Sequence, residues 1–332
     1  MKAAGVNVVK HYKDLAFMGF VEVLKNLPTI FKNLSFSKSD IISFDPEVVI
    51  LIDFPGFNLQ LVKWAKEKGL KVIFYISPQL WAWNERRVHH IKKYVKKMIV
   101  ILPFEKDFYK KFGYDVEYVG HPLVEVIEQY QIENATNQKD ENIVALLPGS
   151  RKQEIKRKLP VMLATASNFA DYNFIVAKAP GINDEFYSTF LSSYKNVTAV
   201  ADQTYSILMR SKAALVTSGT ATLETALFNV PEIVCYKANK VSYEIAKRVI
   251  KLKYISLVNI IMNKQVVKEL IQDDLTVEKC TLELKQLLTN ESLQQQIKDD
   301  YKALKDLLSA GGNASANAAT VVFNYALNGE TS

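Results

Sequence analysis

The stretch EVVILIDFPGFN, residues 47–58, decides the fold. An unbroken apolar run between Glu47 and Asp53 has the length of a strand buried on both faces. Phe54-Pro55-Gly56 then breaks the chain, and residues 58–68 follow a helical pattern. Leu59, Leu61, Val62 and Ala65 fall near one face of it, and Gly69 closes it. Two further buried-strand candidates follow at residues 71–76 (KVIFYI) and 98–102 (MIVIL). Strand, helix, strand in this rhythm implies a parallel sheet with helices on both faces.

The rhythm stops at residues 128–141, EQYQIENATNQKDE, a polar stretch without an apolar period that reads as a linker. It restarts with strand candidates at 143–147, 174–177, 213–216 and 232–236, each followed by turn or helix signals. The expected architecture is α/β, with two Rossmann-like doubly wound domains facing a cleft. The first covers 1–127, the linker 128–141 and the second 142–332. The opening is unusual. A doubly wound domain begins with a strand and a tight turn into a helix. Here an apolar-rich helical pattern over residues 15–27 comes first, so either the domain starts unusually or the chain lacks its first βα unit.

Lys and Arg outnumber Asp and Glu by 42 to 35, a formal charge of +7. Such an excess favours phosphates, nucleic acid or acidic membrane surfaces without choosing among them. Cys235 and Cys280 have no metal-ligand spacing, and two cysteines make no disulfide framework. No apolar run reaches the length of a membrane span, so membrane contact is expected to be peripheral. No nucleic-acid motif, metal cluster or nucleophile elbow is present, and neither a metal nor a cofactor is expected.

Five segments carry chemistry. Asp53 ends a strand at the sheet edge where open α/β folds bind ligands, and a partly desolvated carboxylate there can act as a general base. Residues 77–83, SPQLWAW, follow the next strand, and Trp81 and Trp83 can wall a sugar ring or an acyl chain. Residues 86–97 mix Arg86, Arg87, Lys92, Lys93, Lys96 and Lys97 with Val88, Ile91 and Val95. This is the pattern of a basic amphipathic helix suited to anionic headgroups or simply to solvent. In Leu147-Pro148-Gly149-Ser150-Arg151, Gly149 permits close backbone approach, Ser150 can cap the next helix and Arg151 suits a diphosphate. Ser218, Gly219 and Thr220 follow a strand and open a helix, a ready anion site, with Glu224 one turn in. His121, before Pro122, can titrate but reads first as structural.

Taken together and in order, these segments resemble the lipid-A-disaccharide synthase family. Residues 14–24 (DLAFMGFVEVL) look like its early helix. IDFPGFN at 52–58, SPQLWAW at 77–83, LPFEK at 102–106, GHP at 120–122, LPGSR at 147–151, SGTATLE at 218–224, KR at 247–248 and SLVN at 256–259 follow in family order. The resemblance implies a GT-B glycosyltransferase that inverts the anomeric centre. It moves 2,3-diacylglucosamine from its UDP derivative to the 6-hydroxyl of 2,3-diacylglucosamine 1-phosphate, giving lipid A disaccharide 1-phosphate and UDP.

The resemblance implies that the family's sensitive Asp and Arg map onto Asp53 and Arg151. UDP is assigned to Gly149, Ser150, Ser218, Gly219, Thr220, Glu224 and Asn259. Acceptor or acyl contacts are assigned to Trp81, Trp83 and Asn58. The resemblance further implies a cytoplasmic protein, peripheral at the inner face of the inner membrane, with the last helix packing back on the first domain and a homodimer left open. Family members open with a strand and a G-E-x-S-G-D loop that this sequence does not contain, and they carry a second acidic residue where Gly56 stands. Two alternatives therefore stay open: a UDP-sugar epimerase on the same fold, and a catalytically impaired nucleotide-binding fragment.

Overall fold

A computed structural model describes residues 4–10, 27–135, 142–250 and 252–328. The apolar run of residues 47–53 forms β1 (Val49–Ile52), which pairs in parallel with β2 (Val72–Tyr75). β3 (Lys97–Val100) and the short β4 (Glu117–Tyr118) extend the sheet in sequence order. Alternate residues face opposite sides of such a sheet. Phe74, Met98 and Val100 pack under the helices Pro55–Glu67 and Arg87–Tyr94 through Leu61, Val62, Val88 and Ile91. Ile73 and Ile99 face the other way, where the helix Ala314–Asn328 covers them with Ala314 and Ala318.

The second sheet contains β5 (Ile143–Leu147), β6 (Asn173–Lys178), β7 (Val197–Ala201), β8 (Ala213–Thr217), β9 (Glu232–Tyr236) and β10 (Lys268–Ile271). All its pairings are parallel, in the order β10-β9-β8-β5-β6-β7. The chain winds outward from β5 through β6 to β7, then returns to β8 on the other side of β5. The order therefore reverses between β5 and β8, which makes a topological switch point. Every residue of β5 is buried, as a strand covered on both faces requires.

The structure revises several local expectations. The polar stretch read as a linker is helical at its start, because the helix Pro122–Glu133 runs into it. Val124 and Ile127 anchor that helix in the core of the second sheet, which is why a polar-looking segment is ordered. Residues 136–141 lie outside the described residues. So does the helical pattern of 15–27 except at Leu27, which opens an unanticipated helix, Leu27–Phe44. The basic run 86–97 is helical only over Arg87–Tyr94, and Lys97 already belongs to β3, paired with Glu117 at 2.9 Å.

Candidate active site

The carboxyl ends of β1, β2 and β3 open on one cleft of about 670 Å3, bordered by Asp53, Ser77, Trp83, Arg87, Glu105 and His121. The second domain reaches it through Thr220 and Leu257. The backbone entering the cleft is strained. Asp53, Phe54 and Ile76 have φ of 47°, 45° and 68°, in the left-handed region that side chains with a Cβ avoid. Hydrogen bonds hold these corners: Asp53 N–H donates to Tyr75 O at 2.8 Å and Ile76 N–H to Ile99 O at 3.0 Å. Asp53 is exposed at the cleft rim, so the expected partial desolvation is not supplied by the strand it ends.

Beneath the cleft a buried carboxylate organises the loop after β2. Glu105 accepts from Ser77 Oγ at 2.8 Å, Trp81 Nε1 at 3.2 Å and Leu102 N at 3.0 Å. Burial raises its pKa, and these donors partly offset that rise. Glu105 is the first residue of the helix Glu105–Lys110, and its bond to Leu102 N reaches back three residues to hold the turn before the helix. A glutamate at that spacing, in LPFEK, was the sequence signal for this role. His121 caps the helix Pro122–Glu133 by accepting the Leu123 N–H at Nδ1, 3.2 Å away. Burial lowers its pKa to about 4, so at neutral pH the ring is the uncharged acceptor the cap requires.

Two residues assigned to the acceptor lie elsewhere. Trp81 is buried, its indole edge against Phe104 and its N–H on Glu105. Asn58 is buried too, and its amide donates to the carbonyls of Ile52 and Asp53 at 3.2 and 2.7 Å, fixing the strained turn. Trp83, by contrast, borders the cleft and is 45% exposed.

The second hollow, about 450 Å3, sits at the switch point. Gly149, Ser150, Arg151, Ser218, Gly219, Thr220 and Glu224 all line it. Gly149 has φ +118°, and a Cβ there would fall 2.7 Å from Glu154 Oε2, so only glycine fits this approach. The helix Lys152–Ala166 is capped by Arg151 rather than Ser150, without a side-chain bond. The Arg151 guanidinium meets Glu154 at 2.9 Å. Gly219 opens the helix Thr220–Leu227 and directs its first N–H groups at the hollow. Ser218 Oγ donates to Ile255 O at 2.8 Å, tying this loop to the segment before the helix Leu257–Met262. Glu224 accepts from Tyr205 at 3.1 Å, and burial raises its pKa against that bond.

Asn259, also assigned to UDP, does not line this hollow. It is fully buried, accepting from Val266 N and Val267 N and donating to Val267 O and Glu269, a turn-holding role. Sequence reasoning passed over Lys158, which is 3% exposed under the Gly149 loop and bonded to Thr217 Oγ1. Burial depresses its pKa, with the Glu154 charge acting against the shift. Its signal is positional: it interrupts the apolar stripe of Ile155, Leu159 and Met162 on its helix. Among the described residues no group of His, Cys, Asp and Glu is arranged to hold a metal ion.

Thr220 borders both hollows, so the two sites meet. The chain is 12% identical to the glycotransferase of kitacinnamycin, with a TM-score of 0.65 over 97% of this chain and 87% of that one. It is 13% identical to UDP-GlcNAc 2-epimerase from Neisseria meningitidis bound to UDP-GlcNAc, with a TM-score of 0.61 over 89% and 81%. Likeness at this identity establishes the shared fold of two Rossmann-like domains, and no more. Sequence relatives are nearer. The lipid-A-disaccharide synthase of Nitrosococcus oceani is 37% identical over 97% of this chain and 86% of its own length. That of Syntrophus aciditrophicus is 37% identical over 96% and 86%. The profile of the lipid-A-disaccharide synthetase family matches residues 1–323. The chain belongs to the lipid-A-disaccharide synthase family.

Proposed function

We propose that the chain transfers 2,3-diacylglucosamine from UDP to the 6-hydroxyl of 2,3-diacylglucosamine 1-phosphate, with inversion. The observation that carries this reading is the meeting of two sites at Thr220. A carboxylate borders one of them, and a guanidinium beside a helix N-terminus borders the other.

Asp53 takes the proton of the attacking hydroxyl. Arg151 and the backbone N–H groups at Ser218, Gly219 and Thr220 receive the negative charge that develops on the departing diphosphate. Glu224 accepts from the ribose hydroxyls, and Trp83 contacts the acceptor. Gly149 and Ser150 let the diphosphate approach the backbone.

The substrates are amphiphilic, so the same reading places the chain in the cytoplasm, peripheral at the inner face of the inner membrane. Exposed Phe31, Ile42 and Phe44 on the helix Leu27–Phe44, with exposed Lys92 and Lys93, support contact with an anionic bilayer. No described helix is long and apolar enough to cross a membrane. A homodimer is compatible with this chemistry and not required by it.

The test is release of UDP with each substrate alone and with both together. Release that needs both, with disaccharide formed in equal amount, supports the transfer. Epimerisation of the UDP-sugar without acceptor would sink it.

A further inference from the structure

The Asp53 cleft continues past its own loop. A neighbouring hollow of about 600 Å3 shares Pro55, Gly56, Leu59 and Arg87 with the cleft and adds Arg86 and His90. We propose that this hollow seats the phosphate of the acceptor sugar, held by Arg86 and Arg87. The proposal rests on the transfer reading above and names the residues that would select a phosphorylated acceptor.

Four observations support it. First, among the described residues neither guanidinium has an ion-pair partner, whereas Arg151 meets Glu154 and Lys97 meets Glu117. Second, Arg87 lies over the Trp83 ring, 5.1 Å from its centroid. Stacking restricts the side chain while leaving the guanidinium edge free to donate two parallel hydrogen bonds, which suits phosphate. Third, Pro55, Leu59 and Ile91 give the hollow apolar walls against which a sugar ring can pack while the guanidiniums take the charge.

Fourth, both guanidiniums line this hollow, which Lys92 and Lys93 on the same helix do not. Farther along the same helix Lys92 donates to Phe112 O, and Lys97 is paired on β3. The acceptor carries its attacking hydroxyl on C6 and its phosphate on C1, on either side of the ring oxygen of one sugar. Asp53, Pro55, Gly56 and Arg87 border the same cleft, and the last three also line the neighbouring hollow. A ring lying across Pro55 and Gly56 would put its hydroxyl towards Asp53 and its phosphate towards the two arginines.

The experiment measures affinity of the full chain for 2,3-diacylglucosamine 1-phosphate and for 2,3-diacylglucosamine, by calorimetry in detergent. The wild-type chain is expected to prefer the phosphorylated sugar by about 10- to 100-fold, the scale of charge-assisted hydrogen bonds. The double variant Arg86→Ala/Arg87→Ala is expected to lose that preference while its affinity for UDP stays unchanged. Arg86→Lys/Arg87→Lys is expected to recover part of it, because point charges replace the forked donors.

A preference that survives in the alanine variant overturns the proposal, as does an equal loss for both sugars. A second arm sediments the chain with phosphatidylglycerol vesicles. If the arginines govern sedimentation but not the sugar preference, their ligand is a lipid headgroup and the acceptor seat is refuted. No phosphate preference in the wild-type chain refutes the seat whether or not transfer occurs. Preference without transfer refutes the reaction and leaves the seat standing.

Discussion

Asp53 and Arg151 stand on opposite sides of the meeting point, so their substitutions should separate chemistry from nucleotide binding. Asp53→Asn keeps size and shape but cannot take a proton. It is expected to lower turnover by about 100- to 10,000-fold with UDP affinity intact. Arg151→Ala should weaken both, since it lines the hollow proposed to take the nucleotide. Turnover and UDP calorimetry on the two variants check this, and UDP affinity lost at Asp53→Asn would make that residue part of the nucleotide site.

Glu232 supplies a test of a different kind. It opens β9 fully buried, and neither carboxylate oxygen has a hydrogen-bond partner among the described residues. Desolvation holds its folded pKa well above the ordinary carboxylate value. As pH rises past that ordinary value the unfolded chain releases the proton first, so stability falls until the raised folded value is reached. Glu232→Gln cannot ionise. Its stability relative to wild type should rise with pH by up to about 1.4 kcal/mol per unit within that window. Urea midpoints at pH 5 and pH 8 measure it, and a constant difference would show that Glu232 is not the cause.

At the scale of elements, the helix Pro55–Glu67 has no acidic residue in its first turn, and a Cβ at Gly56 would meet nothing. Gly56→Asp removes a helix-weakening glycine and places a negative charge at the positive end of the helix dipole. A gain of about 1 kcal/mol in stability is expected from a urea midpoint.

The elements most legible from the sequence were those with one strong period. β5 is an unbroken apolar run, β8 and β9 are apolar but for Thr217 and Glu232 at their ends, and all three were found. β4, β7 and β10 were not. β4 is two residues long, β7 is largely half-buried or exposed along VTAVA, and β10 alternates around Lys268 and Glu269. That Gly149, Ser150, Arg151, Ser218, Gly219, Thr220 and Glu224 share one hollow was legible because they are local to strand ends. The roles of Trp81, Asn58 and Asn259 were not, because each is set by a partner distant in sequence or by burial. Trp81 faces the cleft or the core according to where Glu105 lies.

At the scale of the whole molecule, the helix Ala314–Asn328 leaves the second domain and returns to the first. The crossing is tight. A Cβ at Gly311 would fall 2.2 Å from Gly120 N and 2.6 Å from Val119 C, atoms of backbone that cannot swing aside. Gly311→Ala is therefore expected to cost about 1–3 kcal/mol, the range for overpacking. The three tryptophans, Trp64, Trp81 and Trp83, all lie in the first domain, so their fluorescence reports its unfolding directly. An unchanged midpoint would mean that the crossing yields.

That return has a consequence for how the protein is made. Ile73 and Ile99 are synthesised early, but the helix that covers them leaves the ribosome only after the entire second domain. At about 5–20 residues per second the sheet stands half-clothed for roughly ten to forty seconds. During that interval the nascent first domain carries a greasy, uncovered face.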